Sequence, residues 1–305
     1  MTHGPEKMAK AKLGRVILIR ILLAASAAMA LSVPATADHH ETAATMAAPS
    51  EDARDLNGIW SVMNSAAYDL EAHPARAALQ MREGPVIPVP AAEVEALGAV
   101  GSVPGGESVV TTNGGVIPYK PEALEERNRR AANWIKEDPE IKCYLPGVPR
   151  ATYQGLPFQI VQSDTAMLMV YTYANAVRNI LMEDPGEAPL DSWMGQSWGR
   201  WDGDSFVVET TAQNGQTWLD RSGNYMSPMG KVTERFTKMT PWHMRYQATI
   251  EDPDTFTEPW TMEMVLYKDV RPDAKLIEFN CVEFVEELMY GHLRKTPLDP
   301  VPEKK

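Results

Sequence analysis

Between residues 158 and 281 apolar side chains recur at alternate positions in short runs, and most runs stop at turn-forming residues. A period of two places successive side chains on opposite faces of a half-buried strand. Strands are predicted over 158–162, 167–173, 176–182, 198–201, 205–211, 231–237, 244–250, 261–268 and 276–280. The breaks include Ser163-Asp164, Asp184-Pro185-Gly186 and Asp202-Gly203. The last is a strong hairpin dipeptide, because both of its positions favour positive φ. An earlier strand enters through Leu56-Asn57-Gly58-Ile59-Trp60, giving nine or ten in all. Such a meander closes on itself to remove exposed edges, so the expected fold is mainly β, an antiparallel up-and-down barrel.

The pattern loosens from residue 65 to about 115, where Pro85, Pro88, Pro90, Pro104 and Gly105-Gly106 separate short apolar pieces. This reads as part of a long insertion, about 65–141, with few regular elements. Its exception is a helical period over 121–138: Pro121 suits the first turn, Leu124, Asn128, Ala131 and Ile135 share a face, and Pro139 stops it. That helix is expected to pack on a sheet. A short C-terminal helix is predicted after Asn280, with Val282, Val285 and Leu288 on one side and Gly291 ending it. One domain spans 56–296, and 297–305 form a loose tail.

Face assignment exposes two charges on apolar sides. Glu234 falls between Val232 and Phe236, and Arg178 shares its side with Ile180 and Met182. Either charge is costly to bury alone, so an internal Arg178–Glu234 pair is expected. It would either fix the strands or anchor a polar group of a bound molecule. Tyr171, Trp201, Trp218 and Tyr246 belong to a crowd of aromatic and methionine side chains and are the candidate ligand-binding residues beside the pair. Asp220 follows the Asn214-Gly215 turn and is either a cap or a group at a barrel mouth. His73 and His292 are surface or capping histidines, or else acids working with Glu234 or Asp220 as base. No H-E-x-x-H pair, G-x-S-x-G elbow or phosphate loop occurs, and neither a cofactor nor a metal centre within the fold is expected.

Composition places the chain outside the cytoplasm. Residues 1–37 combine a basic start (Lys7, Lys10, Lys12, Arg15, Arg20), an apolar run from Ile21 to Leu31 and Ala35-Thr36-Ala37. This is the layout of a cleaved signal peptide, and the apolar run is shorter than the ~20 residues a bilayer crossing needs. A periplasmic or secreted protein beginning at Asp38 follows, with 38–55 as a disordered tail and no integral span. The leader holds five Lys or Arg and one Asp or Glu, so 24 basic and 40 acidic residues remain. That balance argues against a nucleic-acid partner. Cys143 and Cys281 are the only cysteines, and an oxidising compartment favours their disulfide over two buried thiols. The new terminus Asp38-His39-His40 offers an amine, two amides and an imidazole that could hold Cu²⁺ or Ni²⁺ in a square plane.

Gly58, two residues before Trp60, resembles the entry of lipocalin-like (calycin) barrels, in which the ring plugs one end. An ordinary core tryptophan fits equally well. Longer stretches resemble a family of exported bacterial proteins generally described as hypothetical: 138–150 (DPEIKCYLPGVPR), Gly199-Arg200-Trp201-Asp202-Gly203-Asp204, Thr217-Trp218-Leu219-Asp220, 249–253 and 281–294. The resemblance implies no activity. Members of that family tend to carry histidines where this chain has Gln196, Met226 and Lys231, so a histidine-built centre in relatives would be lost or replaced here. The leading expectation is binding of a small, largely apolar or aromatic molecule in a barrel cavity. The alternatives are a cofactor-independent hydrolase, lyase or isomerase, and an envelope structural subunit.

Overall fold

The computed structural model describes residues 52–77, 102–285 and 288. Nine strands close into a barrel: β1 (Gly58–Val62), β4 (Phe158–Gln162), β5 (Ala166–Tyr171), β6 (Val177–Leu181), β7 (Gln196–Asp202), β8 (Ser205–Thr211), β9 (Lys231–Thr240), β10 (His243–Glu251) and β11 (Trp260–Lys268). Two short strands, β2 (Arg76–Ala77) and β3 (Ser102–Val103), pair apart from it. Alternation decides the faces as the sequence predicts. In β9, Val232, Glu234 and Phe236 are buried, and in β10 so are Met244, Tyr246, Ala248 and Ile250. With Trp60, Phe158, Phe206 and Trp260 these make one core inside the wall. Gly199 of β7 faces the same interior, where a Cβ would lie 2.5 Å from Phe206 Cζ, so the aromatic ring occupies the space a side chain would need.

The barrel departs from the expected all-antiparallel meander at one junction. Eight neighbouring pairs are antiparallel, but β6 and β7 run parallel over Ile180↔Ser197 and Leu181↔Trp198. The cause is arithmetical: strand direction cannot alternate all the way round a closed ring of nine. Residues 182–195 therefore carry the chain back along the barrel to start β7 beside β6. The expected strand over 276–280 is irregular. β1 pairs with both β11 and β4, so no vacant edge remains to receive it.

These pairings make the two rims unlike. One carries the tight turns after β4, β7 and β9, while the other carries the insertion between β1 and β4 and the loops 212–230 and 252–259. The expected helix over 121–138 is two pieces, α1 (Pro121–Ala132) and α2 (Trp134–Glu137), broken at Asn133 (φ −115°, ψ 14°). Its packing face also differs. Leu124 is 44% exposed and Ala123 is buried, because α1 rests on the 212–230 loop rather than on a sheet. Arg127 Nε donates to Asn224 Oδ1 at 3.2 Å, and the Arg130 guanidinium lies 4.0 Å from the Tyr225 ring centre. A third helix, α3 (Arg150–Tyr153), is wholly buried and lies near β1. Among the described residues no helix is long and apolar enough to cross a membrane. The predicted leader, the Asp38-His39-His40 site, His292 and most of the predicted C-terminal helix lie outside the described residues.

Candidate functional site

Inside the barrel, Arg178 and Glu234 meet. Arg178 Nη2 donates to Glu234 Oε2 at 2.5 Å and to Thr210 Oγ1 at 2.7 Å, and its Nε donates to Ser197 Oγ at 2.8 Å. The Tyr246 hydroxyl donates to the second carboxylate oxygen, Glu234 Oε1, at 2.8 Å. Burial works against the Arg178 charge, but Glu234 and then Tyr171 outweigh it and hold its pKa above the usual value. Burial and Glu234 together push the Tyr246 hydroxyl well above the ordinary phenol range. Glu234, Tyr246, Phe236 and Phe206 present no accessible surface, so no water-sized void adjoins them. Glu234 is thus enclosed and hydrogen-bonded by protein groups, and the pair has the geometry of a strand-fixing cluster, with Arg178 also bordering a pocket of about 310 Å³ between residues 177–181 and 188–197.

Tyr171 lies beside the pair, whereas Asp220, His73, Trp201 and Trp218 lie apart from it. Asp220 is fully buried and accepts N–H groups from Leu70 at 2.9 Å, Ser222 at 2.9 Å and the Asn224 side chain at 2.6 Å, which ties the 212–230 loop to the insertion. Burial pushes its carboxyl up to about 7, Asp69 adding to the shift and the N–H donors opposing it. The two His73 ring nitrogens face the backbone carbonyls of Glu71 and Pro104 at 2.8 and 3.0 Å. Trp201 packs on Phe206 near the Asp202 turn, at the rim opposite Trp218. Tyr171 is buried, its hydroxyl 3.4 Å from Met169 Sδ. Among the described residues no group of three His, Cys, Asp or Glu is placed to hold a metal ion.

The elaborated rim builds a different site. Its foundation is the segment from Asp138, whose carboxylate takes both Arg150 Nη atoms at 2.8 Å. Arg150 also reaches Glu140 Oε2 at 2.6 Å, and Arg221 grips Glu140 at 2.8 and 2.9 Å. Burial would raise the Glu140 carboxyl, but Arg221 and Arg150 override it and hold it at about 2. Four successive turn bonds coil the chain from Asp138 to Tyr144, and Cys143 in it takes φ 61° and is joined to Cys281 by the expected disulfide.

Beyond that turn the segment is pressed against the 212–230 loop. The Gln213 side chain bonds both the N–H and the carbonyl of Val148, at 2.8 and 2.9 Å. At Gly147 (φ 72°) a Cβ would lie 2.5 Å from Thr217 Cγ2, so only glycine permits this approach. Ser192 forms a bridge with Gln213, which brings its neighbour Trp193 to the same place. The product is a cleft of about 280 Å³ lined by Tyr144, Trp193 and Trp218 together with Lys142, Arg129 and Glu137. The Tyr144 and Trp193 rings stack with centres 5.0 Å apart at 27°, and Tyr144 is 49% exposed while Trp218 is only 4% exposed.

Of the candidate residues the sequence suggested, only Trp218 lines this cleft. Lys142 and Tyr144 flank a cysteine, and that adjacency to a disulfide was the one local signal pointing to them. The fold and site together define a closed nine-stranded barrel with an aromatic cleft on its elaborated rim. Comparison of the chain with protein-family models, curated proteins and solved structures gave no match.

Proposed function

We propose that the protein binds a small aromatic compound, and that the compound sits in the rim cleft rather than inside the barrel. The observation that carries this reading is the gathering of Tyr144, Trp193 and Trp218, from three separate segments, around one opening. Aromatic walls recognise a planar ring by offset stacking, at about 0.5–1.5 kcal/mol per ring pair beyond area burial. A volume of about 280 Å³ falls at the small end of ligand pockets, which suits one or two fused rings. The barrel serves as a rigid stand, and loops on a rigid scaffold are where binding residues concentrate.

The calycin-like reading of the barrel belongs to the same proposal. It is supported by Trp60, whose Nε1 donates to the Leu56 carbonyl at 2.9 Å and whose ring lies 5.6 Å from Lys268 Nζ. Export to the periplasm or beyond is supported by the Cys143–Cys281 disulfide. Titration calorimetry with a set of one- and two-ring aromatic compounds, neutral and charged, tests the binding. Saturable binding by at least one of them, weakened strongly in Trp193→Ala, is expected. Binding that is indifferent to both Trp193→Ala and Tyr144→Ala would refute the location.

A further inference from the structure

The charges around the cleft do not balance. Arg129 Nε donates to Glu126 Oε2 at 2.7 Å, and its Nη1 lies 2.8 Å from Glu137 Oε1. Arg130 Nε takes the other Glu126 oxygen at 2.8 Å, and its guanidinium also lies 5.8 Å from the Trp218 ring centre. These two guanidiniums and two carboxylates offset one another. The Lys142 ammonium is left over, since among the described residues it has no hydrogen-bond or ion-pair partner. It lines the cleft two residues from Tyr144, in a protein whose formal net charge is −12.

We infer that the cleft selects an aromatic acid: a one- or two-ring compound whose carboxylate or comparable anion pairs with Lys142 while its ring lies against the aromatic walls. This rests on the aromatic-site reading and adds the charge of the ligand to it. The coil of residues 138–144 fixes the backbone from which the Lys142 side chain reaches the cleft, because Lys142 N–H donates to the Pro139 carbonyl at 3.1 Å and the next residue is clamped by the disulfide. A neutral analogue of the same shape keeps the stacking and loses the ion pair. An amine analogue meets a surplus like charge.

The test compares 1-naphthoate, 1-naphthalenemethanol and 1-naphthylmethylamine by titration calorimetry on the full-length protein and on Lys142→Met. In the unaltered protein naphthoate is expected to bind more tightly than the alcohol, by up to about fivefold, the scale of one partly exposed ion pair. The amine is expected to bind most weakly. Lys142→Met should remove the advantage of naphthoate, bringing the ratio of its affinity to that of the alcohol close to one. Alcohol binding equal to or tighter than naphthoate binding overturns the charge inference while leaving the aromatic site standing. An equal loss for both compounds in Lys142→Met overturns it as well. If none of the three binds, the aromatic site itself falls and this inference with it. Circular dichroism of Lys142→Met should match the unaltered protein, because the ammonium supports no other described residue.

Discussion

Arg178 Nη2 and Glu234 Oε2 lie 2.5 Å apart within the barrel, joining β6 to β9 past the two strands that separate them in the wall. Ser197 and Thr210 from the intervening strands bind the same guanidinium, so one side chain ties four adjacent strands. Truncating either partner leaves a buried charge without its counterpart, which costs about 3–5 kcal/mol. Glu234→Gln and Arg178→Met should each lower the urea midpoint accordingly. The double change Arg178→Met/Glu234→Leu should cost clearly less than the two single losses added together. Single losses below about 1 kcal/mol would mean that the pair is not desolvated.

Two carboxyls, the partly buried Glu140 and the fully buried Asp220, pull stability in opposite directions with pH. Glu140 is held at about 2 in the fold against an ordinary 4.5, so its stabilisation is complete above pH 4.5 and is lost as pH falls toward 2. Asp220 is raised to about 7 from 3.8. Between those values the unfolded chain releases the proton more readily, so this group costs progressively more stability as pH rises and adds no further change above 7. Urea midpoints should therefore show an acid limb that Glu140→Gln shortens and a decline from pH 4 to 7 that Asp220→Asn flattens. An unaltered pH 4–7 slope in Asp220→Asn would show that the carboxyl ionises normally in the fold.

The disulfide links residues 138 positions apart. In the chain-entropy model a loop of that length stabilises by about 4–5 kcal/mol. Cys143→Ser/Cys281→Ser should lower the thermal midpoint markedly. It should also weaken binding of an aromatic ring, although no cleft-lining side chain has been removed, because Lys142 and Tyr144 flank the released residue. Unchanged ring affinity in a folded double variant would show that the 138–144 coil holds its shape without the bond.

The barrel was legible where burial and period coincide. In β9 the alternation of Val232, Glu234 and Phe236 marks the interior, and a carboxylate on that face implies its partner in β6. β7 begins at Gln196, earlier than alternation suggests, because Ser197 points inward as a ligand of Arg178 and polar core positions escape a hydrophobic pattern. Residues 276–280 carry a strand's pattern, but a closed ring offers them nothing to pair with. Helix α1 turns Ala123 inward and keeps Leu124 out, since its packing runs through Arg127 and Arg130 against polar and aromatic partners. The cleft has no period at all. It exists because Asp138–Arg150 and Gln213–Val148 draw distant segments together, and such bonds leave no trace in local spacing.

The parallel junction between β6 and β7 carries a consequence for how such a barrel can change. Gain or loss of a whole hairpin changes the strand count by two, which leaves an odd ring odd. Duplication or loss of a hairpin could move the junction, yet every closed descendant would keep at least one, and wherever it fell between consecutive strands, as here, a connection would have to travel the length of the wall. Here residues 182–195 are that connection, and Trp193 is part of it. One wall of the aromatic cleft is therefore supplied by the segment that this position of the parallel junction requires.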